Sequence, residues 1–261
     1  MHAVACVKQV PRTHAVSIDP ETNTLDRSGV ESEINPLDLH AVEAAAGLAE
    51  RCGGRATAVS MGPPQAAEAV REALARGCSR GILLSDGAFA GSDSYATSKA
   101  LALAVRRLDD VDLVLCGKQA TDGDTGQVGP GLAAHLDWRQ AAYVREIREV
   151  GEDELTACCQ ADRGVEVRRV PLPAVLTVLK DLNRPRFPSL VDCMEARRAD
   201  VETWTAAELG GEAAALGLDG SPTRVQRVFS PSREAGGVVW DDPPDEAARK
   251  LADALEDEAL I

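Results

Sequence analysis

The chain has 261 residues, 44% hydrophobic and 27% charged but only 3% aromatic, enough for one large domain or a domain with a sizeable appendage, and for a core that needs no disulfide or metal. Forty-two acidic against 28 basic side chains leave a net charge of −14, which repels phosphate backbones and anionic lipid and so argues against nucleic-acid and membrane-surface partners. Three Phe, three Trp and two Tyr are too few to wall in a flavin or haem, so a redox cofactor would be held by backbone and small residues, or shared with a partner chain.

The opening apolar run is too short for a signal peptide and lacks a basic lead. No stretch reaches the roughly 20 apolar residues of a membrane span, so the expectation is a cytoplasmic protein with no membrane insertion. Residues 3–7, 56–61, 81–84 and 112–116 are short continuous apolar runs, the pattern of parallel strands covered on both faces. Between them, the spacing predicts helices over 36–51, 65–76, 94–108 and 127–136. The first has a legible start, with Asn35 as N-cap, Pro36 at the first helical position and Asp38 at the third, and a legible stop at Gly53-Gly54.

After His135 the alternation changes. Residues 143–150, 155–161 and 165–170 read as antiparallel strands, the last two joined by an Asp162-Arg163-Gly164 turn, and 174–179 as a last apolar run. A Pro- and Arg-spaced loop follows from Asn183, then a Gly-, Ala-, Ser- and Pro-rich arm over 210–242, and an acidic amphipathic helix over 245–257 with Ala247, Leu251 and Leu255 on one stripe. The expected fold is α/β: a parallel doubly wound sheet with an antiparallel extension and a C-terminal arm. Residues 1–209 form the body, and 210–261 the arm and helix that lie on another subunit.

The seven cysteines show no CxxC and no zinc-like pairing with the four histidines, and several sit in apolar runs, as buried free thiols do. Cys158 and Cys159 would point to opposite faces of a strand. His2, His14, His40 and His135 are scattered, with only His14 in a plausible site loop, and no nucleophile elbow is present. No catalytic set emerges, which suits a chain that carries a nucleotide or cofactor. Ser85-Asp86-Gly87 with Gly91-Ser92-Asp93-Ser94 has the composition of an adenylating enzyme's pyrophosphatase loop, but it follows the third strand where that loop should follow the first.

The densest signal is Cys116-Gly117-Lys118-Gln119-Ala120-Thr121-Asp122-Gly123-Asp124-Thr125-Gly126-Gln127-Val128-Gly129-Pro130, between an apolar strand and a helix. Glycines there let backbone amides approach a ligand; amides at the helix start suit phosphate, and carboxylates accept from ribose hydroxyls. The pattern is neither GxGxxG nor GxxxxGK[ST]. The loop after the first strand, from Cys6 to Val10, and the Asn35-Pro36-Leu37-Asp38 turn would meet it at the carboxyl edge of the sheet. Ser60-Met61-Gly62 offers a small-residue exit against which adenine could lie.

These residues carry a family likeness. Val4-Ala5-Cys6-Val7-Lys8-Gln9-Val10-Pro11, Asn35-Pro36-Leu37-Asp38 with Ala41-Val42-Glu43, the stretch from Gly117 to Pro130, and the loop from Asn183 to Met194 resemble the beta subunit of electron-transfer flavoproteins over nearly the whole length. The resemblance implies an alpha subunit holding the electron-transferring FAD in a heterodimer. It also implies an adenine nucleotide in this chain: AMP in the ordinary type, a second FAD in the electron-bifurcating type. The implied contacts fall on Cys6, on Asn35, Pro36, Leu37 and Asp38, on Met61, and on residues 122 to 133, with Asp122, Gly123, Asp124, Thr125, Gly126, Gln127, Val128 and Gly129 at their centre. The glycine-rich loop looks closer to the bifurcating form. That form implies NADH as hydride donor, with one electron passing to ferredoxin or flavodoxin and the other to the alpha-subunit flavin and on to a dehydrogenase. The loop that docks acyl-CoA dehydrogenase-type flavoenzymes falls on 183–194, with Leu190 as its anchor and Arg186 and Met194 beside it. Arg184, Arg186, Arg197 and Arg198 would form a basic island there. The neighbouring lysines methylated in some relatives are absent, and Glu195, Arg197 and Arg198 stand in the region. A stand-alone adenine-nucleotide sensor of the universal-stress type is the competing reading; the extension past His135 and the Arg-Pro loop speak against it.

Overall fold

A computed structural model describes residues 1–12, 17–19, 24–26, 31–210, 215–226 and 237–261; His14 and parts of the arm lie outside the described residues. The strands are β1 (His2–Cys6), β2 (Gln9–Pro11), β3 (Ser17–Asp19), β4 (Thr24–Asp26), β5 (Ser32–Ile34), β6 (Arg55–Met61), β7 (Arg80–Leu84), β8 (Leu113–Gly117), β9 (Arg139–Val150), β10 (Glu154–Ala161), β11 (Gly164–Pro171), β12 (Ala174–Val178) and β13 (Glu202–Trp204). The helices are α1 (Pro36–Cys52), α2 (Ala67–Ala75), α3 (Ser94–Arg107), α4 (Val128–Leu136), α5 (Leu190–Arg198) and α6 (Pro244–Asp257).

Nine strands form one mixed, largely parallel sheet in the order β11-β10-β9-β12-β8-β1-β6-β7-β13. β13, β7, β6, β1, β8 and β12 pair parallel. β9 joins the two halves. Its first residues run parallel to β12, and the rest pairs antiparallel with β10, which pairs antiparallel with β11.

Alternation along β1 assigns the two covering layers. Ala3, Ala5 and Val7 pack with Ala41, Val42, Ala45 and Leu48 of α1 and Val70 of α2. Val4 and Cys6 face the opposite way, into Leu101 and Val105 of α3 and Leu132 and Leu136 of α4. Successive strand side chains point to opposite faces, so a continuously apolar strand is what a sheet covered twice requires. α1 begins as its sequence dictates, with Pro36 at the first position, and ends where Gly53 turns left-handed at φ 64° and donates its N–H to the Ala49 carbonyl.

Three segments differ from the sequence reading. β9 starts at Arg139, four residues early, because its first stretch is a parallel strand with polar Arg139 and Gln140 at its exposed beginning. Residues 190–194, read as loop, open helix α5. Ser189 caps it by accepting from the Asp192 N–H, while the Asp192 carboxylate accepts from the Ser189 N–H. The three-residue edge strand β13 is too short to leave a period in the sequence; Trp204 secures it, with the guanidinium of Arg107 4.5 Å from its ring centroid.

The chain divides into two compact units, Met1–Gln226 and Arg227–Ile261. Within the first, Leu216 is buried, Ser221 accepts from the Asp93 N–H, and Thr223 donates to the Asp93 carboxylate. The second contains α6, where Lys250 pairs with Asp242 at 2.7 Å. No helix among the described residues is long and apolar enough to cross a membrane.

Candidate functional site

Two buried side chains tie three loops together at the carboxyl ends of β1 and β8. Asp38, in the first turn of α1, accepts from the Lys8 N–H at 2.8 Å through Oδ2. Through Oδ1 it accepts from the Asn35 side-chain amide at 2.9 Å and the Gly117 N–H at 3.2 Å. Asn35 also donates to the Gln119 carbonyl at 2.9 Å and accepts from the Thr121 N–H at 3.2 Å. Although Asn35 precedes α1, it makes no side-chain cap bond; its amide is committed to this bracket. Burial pushes the Asp38 carboxyl up to about 7, against the pull of the Asn35, Lys8 and Gly117 donors. Gly117 is required here: a Cβ would lie 2.3 Å from Asp38 Oδ1 and 2.9 Å from the Leu37 carbonyl carbon.

The bracket presents the 118–129 loop to solvent. Asp122, Gly123, Asp124, Thr125 and Gln127 are exposed, Gly126 and Val128 half-buried, and Gly129 buried. Asp124 and Gly126 take left-handed backbone, at φ 53° and 63°, and a Cβ on Gly123 would meet only open space. Gly129 fits because the Thr177 methyl comes within 2.3 Å of where its Cβ would stand. Gln127 makes no side-chain cap bond to α4, and since Pro130 carries no N–H and the Gly131 N–H donates to the Gln127 carbonyl, the Val128 and Gly129 amides are the ones left without a partner on their own helix. The aspartates are partly engaged: Asp122 pairs with Lys8 Nζ at 2.7 Å, and Asp124 accepts from the Gln119 side chain.

Around this loop the other expected residues take several stations. Cys6 is buried at the end of β1, in register with Cys116 on β8. The neighbouring Cys6 thiol and burial together push the Cys116 thiol up, keeping it protonated. Pro36 is exposed, and Leu37 and Met61 are half-buried. Ser60, beside Met61, buries a hydroxyl oxygen that has no hydrogen-bond partner among the described residues. Of the other cysteines, Cys78, Cys158 and Cys159 are buried, Cys52 is exposed and Cys193 is half-buried.

Two residues the sequence reading passed over stand at the same edge. Tyr143 on β9 holds φ 57°, a left-handed conformation that costs a bulky L-residue about 1–2 kcal/mol. The Thr177 hydroxyl fixes it there by accepting from the Tyr143 N–H at 3.0 Å. The Lys118 ammonium stands 5.5 Å from the Tyr143 ring centroid. No local motif announces a left-handed tyrosine. Lys118 was visible as the one cation inside the glycine-rich stretch.

A second region lies between the short 3-10 turn Lys180–Leu182 and α5. Asn183 is clasped by His40, donating to its carbonyl at 2.9 Å. Arg186 pairs with Glu43 at 2.9 Å and with Glu50, both on α1, so its charge is directed onto α1. These contacts leave Phe187 93%, Leu190 77% and Val191 61% exposed, with Met194 half exposed beside them.

Comparison with known proteins places the whole chain among one set of relatives. The family description "Electron transfer flavoprotein domain" matches residues 22–209. The chain is 44% identical, over all of both chains, to an electron transfer flavoprotein subunit beta of Thermoanaerobacterium thermosaccharolyticum. It is 42% identical to Protein FixA of Bradyrhizobium diazoefficiens, over 98% of this chain and 91% of the relative. It is 41% identical, again over the full length of both, to the caffeyl-CoA reductase-Etf complex subunit CarD of Acetobacterium woodii. These matches run through the extension past His135, which a stand-alone nucleotide sensor does not call for.

Proposed function

The chain belongs to the electron transfer flavoprotein family as a beta subunit, and from that premise we propose that its glycine-rich loop seats the adenosine and phosphate portion of a nucleotide, FAD before AMP, in a heterodimer with an alpha subunit. The observation that carries this reading is the bracket of Asn35 and Asp38, which draws three strand-end loops into one cradle at the carboxyl edge of a parallel sheet, the place where such sheets take ligands.

The residues fit the group on three counts. The α4 start is uncapped and suits phosphate, Gly123 and Gly126 allow close backbone approach, and Ser60 holds a buried hydroxyl in want of a partner. Asp122 and Asp124 each keep one carboxylate oxygen for ribose hydroxyls. FAD, when bound, supplies the redox chemistry; the chain positions it and sets its electrostatic surroundings. The strip of Phe187, Leu190 and Met194 is the docking face for a flavin dehydrogenase of acyl-CoA type, a reading supported by the name of the Acetobacterium relative. Arg186 holds that strip in place. We further read the sheet as doubly wound, and residues 210–261 as an arm for the alpha subunit whose first stretch, to Gln226, stays with the sheet unit.

Acid release from the co-expressed heterodimer, followed by chromatography, tests the reading. Two FAD per heterodimer are expected. One FAD with one AMP would make this chain's nucleotide structural, and a single FAD with no second nucleotide would sink the proposal.

A further inference from the structure

The sheet edge beside the nucleotide loop carries a cation and a ring that the bracket does not use. Lys118 follows Gly117 directly, and its N–H donates to the Val178 carbonyl at 3.0 Å, so its backbone is fixed at the carboxyl ends of β8 and β12. Lys8, the other lysine at this edge, is paired with Asp122, whereas Lys118 has no carboxylate within ion-pair distance among the described residues. An ammonium with no ion-pair partner among the described residues, on a chain of net charge −14, is suited to an anion.

The ring beneath it is Tyr143, one of two tyrosines in the chain, exposed to 42%. Its left-handed backbone lies where β9 leaves β12 to enter the antiparallel hairpin, at the register shift between Leu176 and Val178. Thr177 links this point to the nucleotide loop: its hydroxyl accepts from the Tyr143 N–H, and its methyl abuts Gly129. One threonine thus sets both the start of α4 and the placement of the aromatic ring. A glycine would sit there without strain, so what a tyrosine adds at this position is its side chain.

We propose that Lys118 and Tyr143 divide the work at this edge, Lys118 pairing with the phosphates of any bound nucleotide and Tyr143 offering a flat wall to a second ring, so that Tyr143 tips the site toward a dinucleotide such as FAD over a mononucleotide. This rests on the nucleotide reading above and adds to it which side chain holds the phosphates and which one chooses between the ligands. A ring lost from such a wall lowers affinity for the ring-bearing ligand alone. A cation lost from the phosphates lowers affinity for both ligands, since both carry phosphate.

The test uses the heterodimer stripped of nucleotide and titrated by calorimetry with FAD and with AMP. Tyr143→Gly removes the ring and relieves the backbone, so folding is retained. It is expected to weaken FAD by about tenfold, the scale of one aromatic stacking contact, and to leave AMP within about twofold. Tyr143→Phe keeps the ring and should match the wild type for both, while Lys118→Gln should weaken FAD and AMP alike. Equal effects of Tyr143→Gly on the two nucleotides, or none, would overturn the wall, as would a wild-type site that takes AMP more tightly than FAD. An unchanged Lys118→Gln would overturn the phosphate role. A wild-type complex that binds neither nucleotide instead removes the nucleotide reading itself, a failure separate from these.

Discussion

At the carboxyl edge of β1 and β8, polar side chains face one another; at the start of α5, apolar ones face outward. Asn35 and Asp38 are buried and bonded to three loops, so on the proposed reading ligand contact is left to backbone and to the few side chains beyond them. Phe187 and Leu190 are held in solvent by polar contacts behind them, Asn183 on His40 and Arg186 on Glu43 and Glu50. Both regions use α1: its first turn anchors the glycine-rich edge, and its next turns anchor the loop that carries the exposed apolar strip. One region is therefore a rigid bracket whose loss should unfold the site. The other is a surface whose loss should change only what binds to it.

Asp38→Ala separates the two most forcefully. It strands the Lys8 and Gly117 amides and the Asn35 side chain, and should lower stability by about 3–5 kcal/mol in urea unfolding and empty the nucleotide site. Gly129→Ala drives a methyl into Thr177 and should cost about 1–3 kcal/mol. A cost near zero would mean that the loop is looser than the bracket implies.

The pH dependence sharpens the same region. Asp38 has its carboxyl raised from 3.8 to about 7 by burial, so its contribution is fully present below the unfolded value and is lost as pH rises through the folded one. Stability should therefore fall as pH rises from about 4 to about 7 and level off above about pH 8 on this account, and the fall should vanish in Asp38→Asn.

Smaller effects are expected at the docking strip. Arg186→Ala releases a half-exposed guanidinium from two glutamates and should cost about 1 kcal/mol or less. It should also slow electron transfer to the partner dehydrogenase, because the loop loses its hold on α1. Leu190→Ala should change stability by about 0.5 kcal/mol or less, slow that transfer and leave nucleotide content unaltered. Unchanged transfer in both variants would remove the docking role and with it the contrast between the regions.

The apolar runs that became β1, β6, β7 and β8 and the Pro36 start and Gly53 stop of α1 were legible because strand and helix periodicity and Pro-Gly punctuation are local, whereas Asn35, expected to cap α1, makes no side-chain cap bond to it. The glycine-rich stretch between β8 and α4 was legible for the same reason. What Asn35 and Asp38 do was not, since their partners Lys8, Gly117, Gln119 and Thr121 come from loops up to 86 positions distant. Tyr143 was hidden because a backbone conformation imposed by a neighbouring strand leaves no trace in residue type. The start of α5 was hidden by the prolines before it, although Ser189 and Asp192 hold the spacing of a capping box. Arg186, read as part of a basic island, turned out to face two glutamates one helical face away.

The central claim is that the bracketed loops form one nucleotide cradle. Hydrogen–deuterium exchange on the heterodimer, stripped and then reloaded with FAD, tests it most directly. The account predicts slowed exchange on reloading at the amides from Gly123 to Gly129 and at the first turn of α4, with the Phe187–Leu190 strip unchanged. Protection confined to any other part of the chain, or none at the loop, would contradict it.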